Sequence, residues 1–250
     1  MWRPDTVLTG GEWDMFLVAP PLADHPVRRI LIIGAAGGTT ARALAALYPG
    51  VRIDGVELDP VVSELGREYM GLDRIPGLRT VNEDGRSFLQ RSGDRYDMIA
   101  VDAYHRDYVP FHLATAEFFQ LCRDHLSAGG VLAINAARVP EDDQLATAVA
   151  GTVATVFPQA WRWGALRFNE LVIGLDRPLG HDELARRAAT VPPAVRVLAP
   201  LLAREAVVAP PGADPMTDDR APVEWLSDRM YLEHIATGQG LDETLLPTAP

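Results

Sequence analysis

From residue 28 to residue 175, short apolar runs alternate with longer segments whose apolar positions recur at helical spacing. The run "RRILIIG" (28–34) predicts a strand buried on both faces. "VRIDGVELD" (51–59), "LRTVNED" (78–84), "YDMIAVDAY" (96–104) and "VLAINAA" (131–137) predict four more. Between them, "TTARALAALYPG" (39–50), "PVVSELGREYMG" (60–71), "GRSFLQRSG" (85–93), "ATAEFFQLCRDHLSAGG" (114–130) and "PEDDQLATAVAGTVATVF" (140–157) predict helices. Pro49 and Gly50 close the first helix, while Pro60 opens the second and Gly71 ends it. "AWRWGALRFNELVIGL" (160–175) reads as two strands around Asn169 and Glu170. Farther on, 180–205 is helical in two pieces, 210–215 is a loop, and "VEWLSDRMYLEHIATG" is another helix.

Strands alternating with helices in this way predict an α/β fold: a mostly parallel sheet of seven strands, helices on both faces, and an antiparallel hairpin at one edge. Continuous apolar strands such as "LII" and "MIAV" fit a sheet covered on both sides. The expected division is a short N-terminal extension (1–27, a β remnant or lid), a ligand-binding domain (28–178), and a helical extension packed on it (179–250). In open α/β sheets the ligand sits beyond the carboxyl ends of the strands. Glu57, Asp59, Asp84, Asp102, Tyr104 and Asn135 all fall at those ends.

Composition narrows the partners. The net charge of −11 argues against nucleic acid or an anionic membrane, which call for a basic face. Every basic residue apart from histidine is arginine, which reads as compositional bias rather than chemistry. The single cysteine, Cys122, excludes an internal disulfide and a multi-cysteine metal site, and its helical setting suits a small buried side chain. No run of 18 apolar residues and no signal-peptide layout is present, so the expectation is a soluble cytoplasmic protein.

The chemistry starts at "GAAGG" (34–38), between the first strand and the first helix. Such a turn either serves the fold alone or lets backbone and helix N-terminal amides approach a ligand. It is neither a P-loop nor a G-x-G-x-x-G dinucleotide turn. Glu57 ends the second strand, where an acid can accept both hydroxyls of a ribose. Asp84 ends the third, placed either to accept from an adenine amino group or to cap the next helix. Together these point to an adenosine-type ligand. With no phosphate-binding residues beside them, S-adenosylmethionine or a relative is favoured over a nucleotide.

The series "RRILIIGAAGG…VELDP…NEDGRSFL…YDMIAVDAY…VPFHLATAEFFQLCRDHLSAGGVLAIN" resembles the spermidine synthase family of aminopropyltransferases, and "MTDDRAPVEWL" (216–226) resembles its tail. The resemblance implies the Rossmann-like class I methyltransferase fold. It also implies a sulfonium ligand lined by Gly34, Ala35, Gly37 and Gly38, a ribose on Glu57 next to Leu58, and an adenine on Asp84 and Gly85. Asp102 then lies beside the reacting centre. Two departures bear on function. The family's G-G-G-D-G-G loop carries an aspartate facing the aminopropyl amine, and here that place falls on Gly37. Its D-x-x-D motif reads "DAYH" (102–105) here, so His105 stands where the second acid is expected and is the candidate base, with Asp102 orienting substrate or sulfonium. The family's N-terminal β-domain is expected to be reduced to residues 1–27.

The expected function is therefore spermidine-synthase-like transfer of an alkyl group to a small molecule, from S-adenosylmethionine or its decarboxylated form, and not a standard spermidine synthesis. A plain methyltransferase and a non-catalytic adenosyl-ligand binder stay as alternatives. Tyr104, Asp107, Phe111 and His112 are candidate substrate residues; the tyrosine and phenylalanine serve equally well as loop packing. No metal is expected, since His105, Asp107 and His112 lack a further ligand cluster. Asp218 or Asp219 is a candidate helix cap, and Glu224, Trp225 and Tyr231 are candidate surface or homodimer residues.

Overall fold

The computed structural model describes residues 7–104, 108–164 and 166–238. In chain order the main elements are β1 (Arg29–Ile33), α1 (Thr39–Leu47), β2 (Arg52–Glu57), α2 (Pro60–Met70), β3 (Leu78–Asn82), α3 (Gly85–Arg91), β4 (Tyr96–Val101) and α4 (Ala116–His125). They continue as β5 (Leu126–Ala137), α5 (Gln144–Val156), β6 (Gln159–Trp163), β7 (Asn169–Leu175), α6 (His181–Ala188), α7 (Leu198–Glu205), β8 (Val207–Ala209) and α8 (Val223–Ala236). The sheet runs β3-β2-β1-β4-β5-β7-β6-β8. Strands β1 to β5 pair in parallel, while β7, β6 and β8 add antiparallel.

The apolar strands are continuous because both faces are covered. Alternate side chains go to opposite cores. Ile30, Ile32, Met98, Ala100, Val131 and Ala133 join one core with α1, α6 and α7. Leu31, Ile33, Ile99, Val101, Leu132 and Ile134 join the other with α4, α5 and α8. Each fully buried Leu, Ile or Val contributes about 1.5–3 kcal/mol, so a charged residue at Ile32 or Ile99 would break one layer outright.

The amino end of the sheet is pinned by a buried carboxylate. Asp54 on β2 accepts from the guanidinium of Arg29 at 3.2 Å, from Arg79 Nε at 2.7 Å and from the Tyr96 hydroxyl at 2.9 Å, tying β1 to β4 together. Burial alone would raise this carboxyl; Arg79, Tyr96 and Arg29 outweigh it and hold it below the usual range.

Four expectations change. The sheet has eight strands, because Val207–Ala209 pairs with β6; three residues are too short a run to show a pattern. The glycine pair 129–130 does not end a helix: α4 stops at His125, and the pairing of β4 with β5 shifts register between Tyr96 and Met98. Gly129 sits there at φ +76°, and its carbonyl accepts the Asp24 N–H at 2.8 Å. Among the described residues of the N-terminal segment (7–27) there is no β remnant. Glu12–Val18 is a 3₁₀-helix whose Met15, Phe16, Leu17 and Val18 are buried in the first core. Asp218 is no helix cap either: it accepts a two-pronged pair from Arg86 at 2.7 and 2.6 Å and the Thr115 hydroxyl at 2.7 Å. Among the described residues, no helix is long and apolar enough to cross a membrane.

Candidate active site

The turn after β1 is held by its neighbours. The N–H groups of Gly34 and Ala35 donate to the Val56 carbonyl at 2.9 and 3.1 Å. Gly34 has φ +86°, and a Cβ there would stand 2.3 Å from the Asp102 carbonyl oxygen, so only glycine lets β1 and β4 end this close. Ala36 also has a positive φ, +42°, alone among the described non-glycine residues. Such backbone persists where its surroundings enforce it. Here the Ala36 N–H donates to Glu57 Oε2 at 2.9 Å, while Asp59 N–H donates to Oε1 at 3.0 Å. Glu57 thus braces the turn and keeps lone pairs free on both oxygens.

Above this turn opens a cavity of about 1060 Å³. Gly34, Ala35, Gly37, Glu57, Leu58, Asp84, Gly85, Asp102, Tyr104 and His112 all line it, so most of the expected site is brought together. Gly38 is not on the wall; it carries the φ of +81° that starts α1 and packs on Leu72. Phe111 also stands off the wall, 44% exposed, with its ring edge-on to His112 at 5.7 Å. His105 and Asp107 lie outside the described residues. Among the described residues, no group of three or more His, Cys, Asp or Glu side chains is arranged to hold a metal ion.

Asp84 does cap α3. Its Oδ1 accepts the Ser87 N–H at 2.8 Å and its Oδ2 lies 2.9 Å from His112 Nε2. Burial alone would raise this carboxyl, but the Ser87 and His112 hydrogen bonds win and hold it low. The cap leaves spare lone pairs, so it does not compete with a ligand amino group. Arg86, which donates to the His112 carbonyl at 3.1 Å, links this corner to Asp218 of the tail.

Asp102 differs. Burial pushes its carboxyl up to about 7, opposed by one hydrogen bond from Asn135 Nδ2 at 2.9 Å and aided by the charge of Glu12. Burial, then the Asp102 charge, lifts the Tyr104 phenol well above its ordinary range. It stays a donor, to the Asn135 carbonyl at 3.2 Å.

Several wall residues were not among the expected site residues. Glu12 and Trp13 come from the N-terminal 3₁₀-helix, Asn135 from β5, Asn169 from the start of β7, and Met70 from the end of α2. Buried Asp14 fixes the first two: it accepts from the N–H groups of Thr9 and Gly10 and from the Thr9 hydroxyl at 2.8–2.9 Å. Asn135 and Asn169 had a signal: Asn135 lies near the carboxyl end of β5 and Asn169 opens β7, each the polar position on a face that is otherwise apolar there. Met70 had none. Its sulfur occupies the space where a Cβ on Gly37 would go, at 2.2 Å, so the glycine and the thioether are a matched pair.

The strand order and the acid-lined cavity at the carboxyl ends define the class as Rossmann-like, of the methyltransferase type. Solved structures agree on this fold. A probable spermidine synthase from Corynebacterium glutamicum aligns with TM-score 0.56 and 23% identity over 76% of this chain and 73% of its own. Human methyltransferase-like protein 13 in complex with SAH aligns with TM-score 0.58 and 22% identity over 81% and 92%. The Spermine/spermidine synthase domain matches residues 14–163, and the chain belongs to that family. A probable polyamine aminopropyl transferase of Bifidobacterium longum is 39% identical over 61% of this chain and 34% of its own length. A polyamine aminopropyltransferase of Vibrio vulnificus is 42% identical over 43% and 37%. The chain thus spans about a third of the length of these curated relatives.

Proposed function

We propose that this chain is a spermidine-synthase-like transferase that moves an alkyl group from decarboxylated S-adenosylmethionine, or from S-adenosylmethionine, to a small amine. The observation carrying this reading is the charge of the cavity wall. Among the described residues, Glu12, Glu57, Asp59, Glu83, Asp84 and Asp102 face one guanidinium, Arg42, and one imidazole, His112. A sulfonium and an ammonium suit such a wall, because an opposite charge within about 4–6 Å favours the ionised form of each partner. Ligand cavities run about 300–1,000 Å³, so this one has room for a donor and an acceptor together. Family membership and the names of the relatives support the same reading.

In this proposal residues 28–178 form the ligand-binding unit and residues 179–250 are an extension of it, whose described part adds α6, α7, α8 and the edge strand β8. Glu57 accepts the ribose hydroxyls, Asp84 the adenine amino group, and Asp102 faces the sulfonium beside the glycine turn. The donor set fits: acceptors stand where an adenosyl group presents hydroxyl and amino hydrogens. When bound, the sulfonium supplies an electrophilic carbon. The chain has to take a proton from an acceptor that arrives as an ammonium. Asp102, titrating near neutrality, is suited to that exchange. His105 is the base expected from the sequence and stays the other candidate; His105→Ala should lower turnover about 10²–10⁴-fold if it is the base.

A second reading, a donor that keeps its methionine carboxylate, is favoured by the pairing of Gly37 with Met70. It leaves no acid on the turn to meet a primary ammonium, and Arg42 lies near, donating to the Met70 carbonyl at 2.5 Å. Calorimetric competition between the two donors, with turnover on a panel of small amines, tests both readings. The expected result is micromolar binding of an adenosyl sulfonium and alkyl transfer to an amine. S-adenosylmethionine is expected to bind at least as well as the decarboxylated form. Strong preference for the decarboxylated donor would remove the second reading, and failure to bind either would remove both.

A further inference from the structure

Asp102, Asn135 and Asn169 stand on three neighbouring strands, and the sheet register brings them together. Val101 of β4 pairs with Ile134 of β5, which sets Asp102 beside Asn135. Asn135 pairs with Leu171 of β7, and Ala137 with Asn169, so Asn169 is a diagonal neighbour on the same face. Two hydrogen bonds run through the group in one direction. Asn169 Nδ2 donates to Asn135 Oδ1 at 2.9 Å, and Asn135 Nδ2 donates to Asp102 Oδ1 at 2.9 Å. Turning the Asn135 amide over would set its carbonyl oxygen against a carboxylate and its NH₂ against another NH₂. The Asn169 donor therefore fixes which atom of Asn135 faces Asp102. Asn135 is 2% exposed, so no water shell competes for it.

Building on the transferase reading above, we infer that Asn135 and Asn169 are positioning residues for Asp102. They hold Oδ1 with a fixed donor and leave Oδ2 as the atom that exchanges the acceptor's proton. A proton on Oδ1 would oppose the Asn135 N–H, so protonation is directed to Oδ2. In the step itself the acceptor ammonium gives one proton to Oδ2, and its lone pair forms the new N–C bond. The C–S bond breaks with its electron pair left on sulfur, and the proton then passes to solvent. The other groups acting on this carboxyl are Glu12 of the N-terminal 3₁₀-helix and Tyr104, which in turn faces Tyr231 of α8 and hydrogen-bonds Asn169. His105 and Asp107 lie outside the described residues. None of those described donates to Oδ1, so Asn135 is the lever.

The test is a pH profile with two independent readouts. In Asn135→Ala the ionised Asp102 loses its donor. The acidic limb of kcat/KM at saturating donor should move up by about one pH unit, as loss of a hydrogen bond to a charged group implies. Asn169→Ala, at a less buried site, should shift the limb in the same direction by less, because Asn135 keeps its donor but not its orientation. The second readout is the NMR titration of the Asp102 carboxyl carbon in donor-free protein, which needs no activity. Both midpoints unmoved in folded Asn135→Ala and Asn169→Ala would overturn the inference. A shifted NMR midpoint in protein that transfers nothing to any amine would uphold the control of Asp102 by the amides while removing the transferase reading. A limb that stays put while turnover merely falls would assign the asparagines a structural role only.

Discussion

The carboxyl of Asp102 gives a stability prediction that runs against intuition: Asp102→Asn should be more stable than the parent chain, and increasingly so at higher pH. In the folded chain this group titrates at about 7, against an ordinary value of 3.8. One pH unit is worth 1.36 kcal/mol, so keeping the carboxylate ionised in the folded state costs up to about 4 kcal/mol. The group opens on a cavity that water enters, and screening there reduces the expected realised cost to about 2 kcal/mol. Below about pH 4 the carboxyl is protonated in both folded and unfolded chains, and the variant gains nothing. From there to about pH 7 the unfolded chain ionises while the folded chain keeps its proton, so rising pH lowers the stability of the parent but not of the variant. Above pH 7 the difference levels off. The asparagine keeps an oxygen for Asn135 Nδ2, so no donor is orphaned. Urea unfolding of both proteins at half-unit steps from pH 4 to pH 8.5 reads the difference directly. At pH 8 the variant should melt higher by about 4–8 °C. A difference that stays flat across the series would refute the reasoning, because a neutral swap cannot produce a pH-dependent gain unless the native carboxyl is perturbed. Stabilisation of this kind, with loss of transfer, marks a site that holds a strained charge for function.

Three further outcomes are expected. Glu57→Ala should weaken binding of an adenosyl ligand at least about tenfold by calorimetry, since charge-assisted hydrogen bonds are worth about 1.5–3 kcal/mol; Glu57→Gln, which keeps an oxygen for the Ala36 N–H, should lose less. Asp54→Ala should destabilise by about 2 kcal/mol at pH 7 through lost bonds to Arg29, Arg79 and Tyr96. Its folded-state value is depressed, so the loss, read by urea unfolding, should shrink as pH falls below the ordinary carboxylate range. Gly37→Asp should lower the melting temperature because its Cβ meets the Met70 sulfur, and adding Met70→Ala should recover it. The double variant should also shift donor preference, in a competition assay, toward the decarboxylated form.

The order of strands and helices was legible in the sequence, because apolar runs, prolines and glycines act within a few residues of themselves. Pro60 and Gly71 bound α2 as expected, and Glu57, Asp84 and Asp102 fall at or just past strand ends because strand ends are local facts. The eighth strand has no such local signal: Val207–Ala209 becomes a strand only by pairing with β6. The register shift between β4 and β5 likewise goes with a distant contact, Asp24 docking on Gly129. Within the site the same line divides the residues. The sequence determined which strand ends carry acids and where the glycine turn must sit. Tertiary structure alone decided that Met70 fills the place of a side chain at Gly37, that Glu12 comes over from the N-terminal helix, and that Asn169 aligns Asn135 on Asp102. Those three contacts join segments that are distant along the chain, and their geometry follows from sheet register and core packing, for which no local pattern of residues carries a signal.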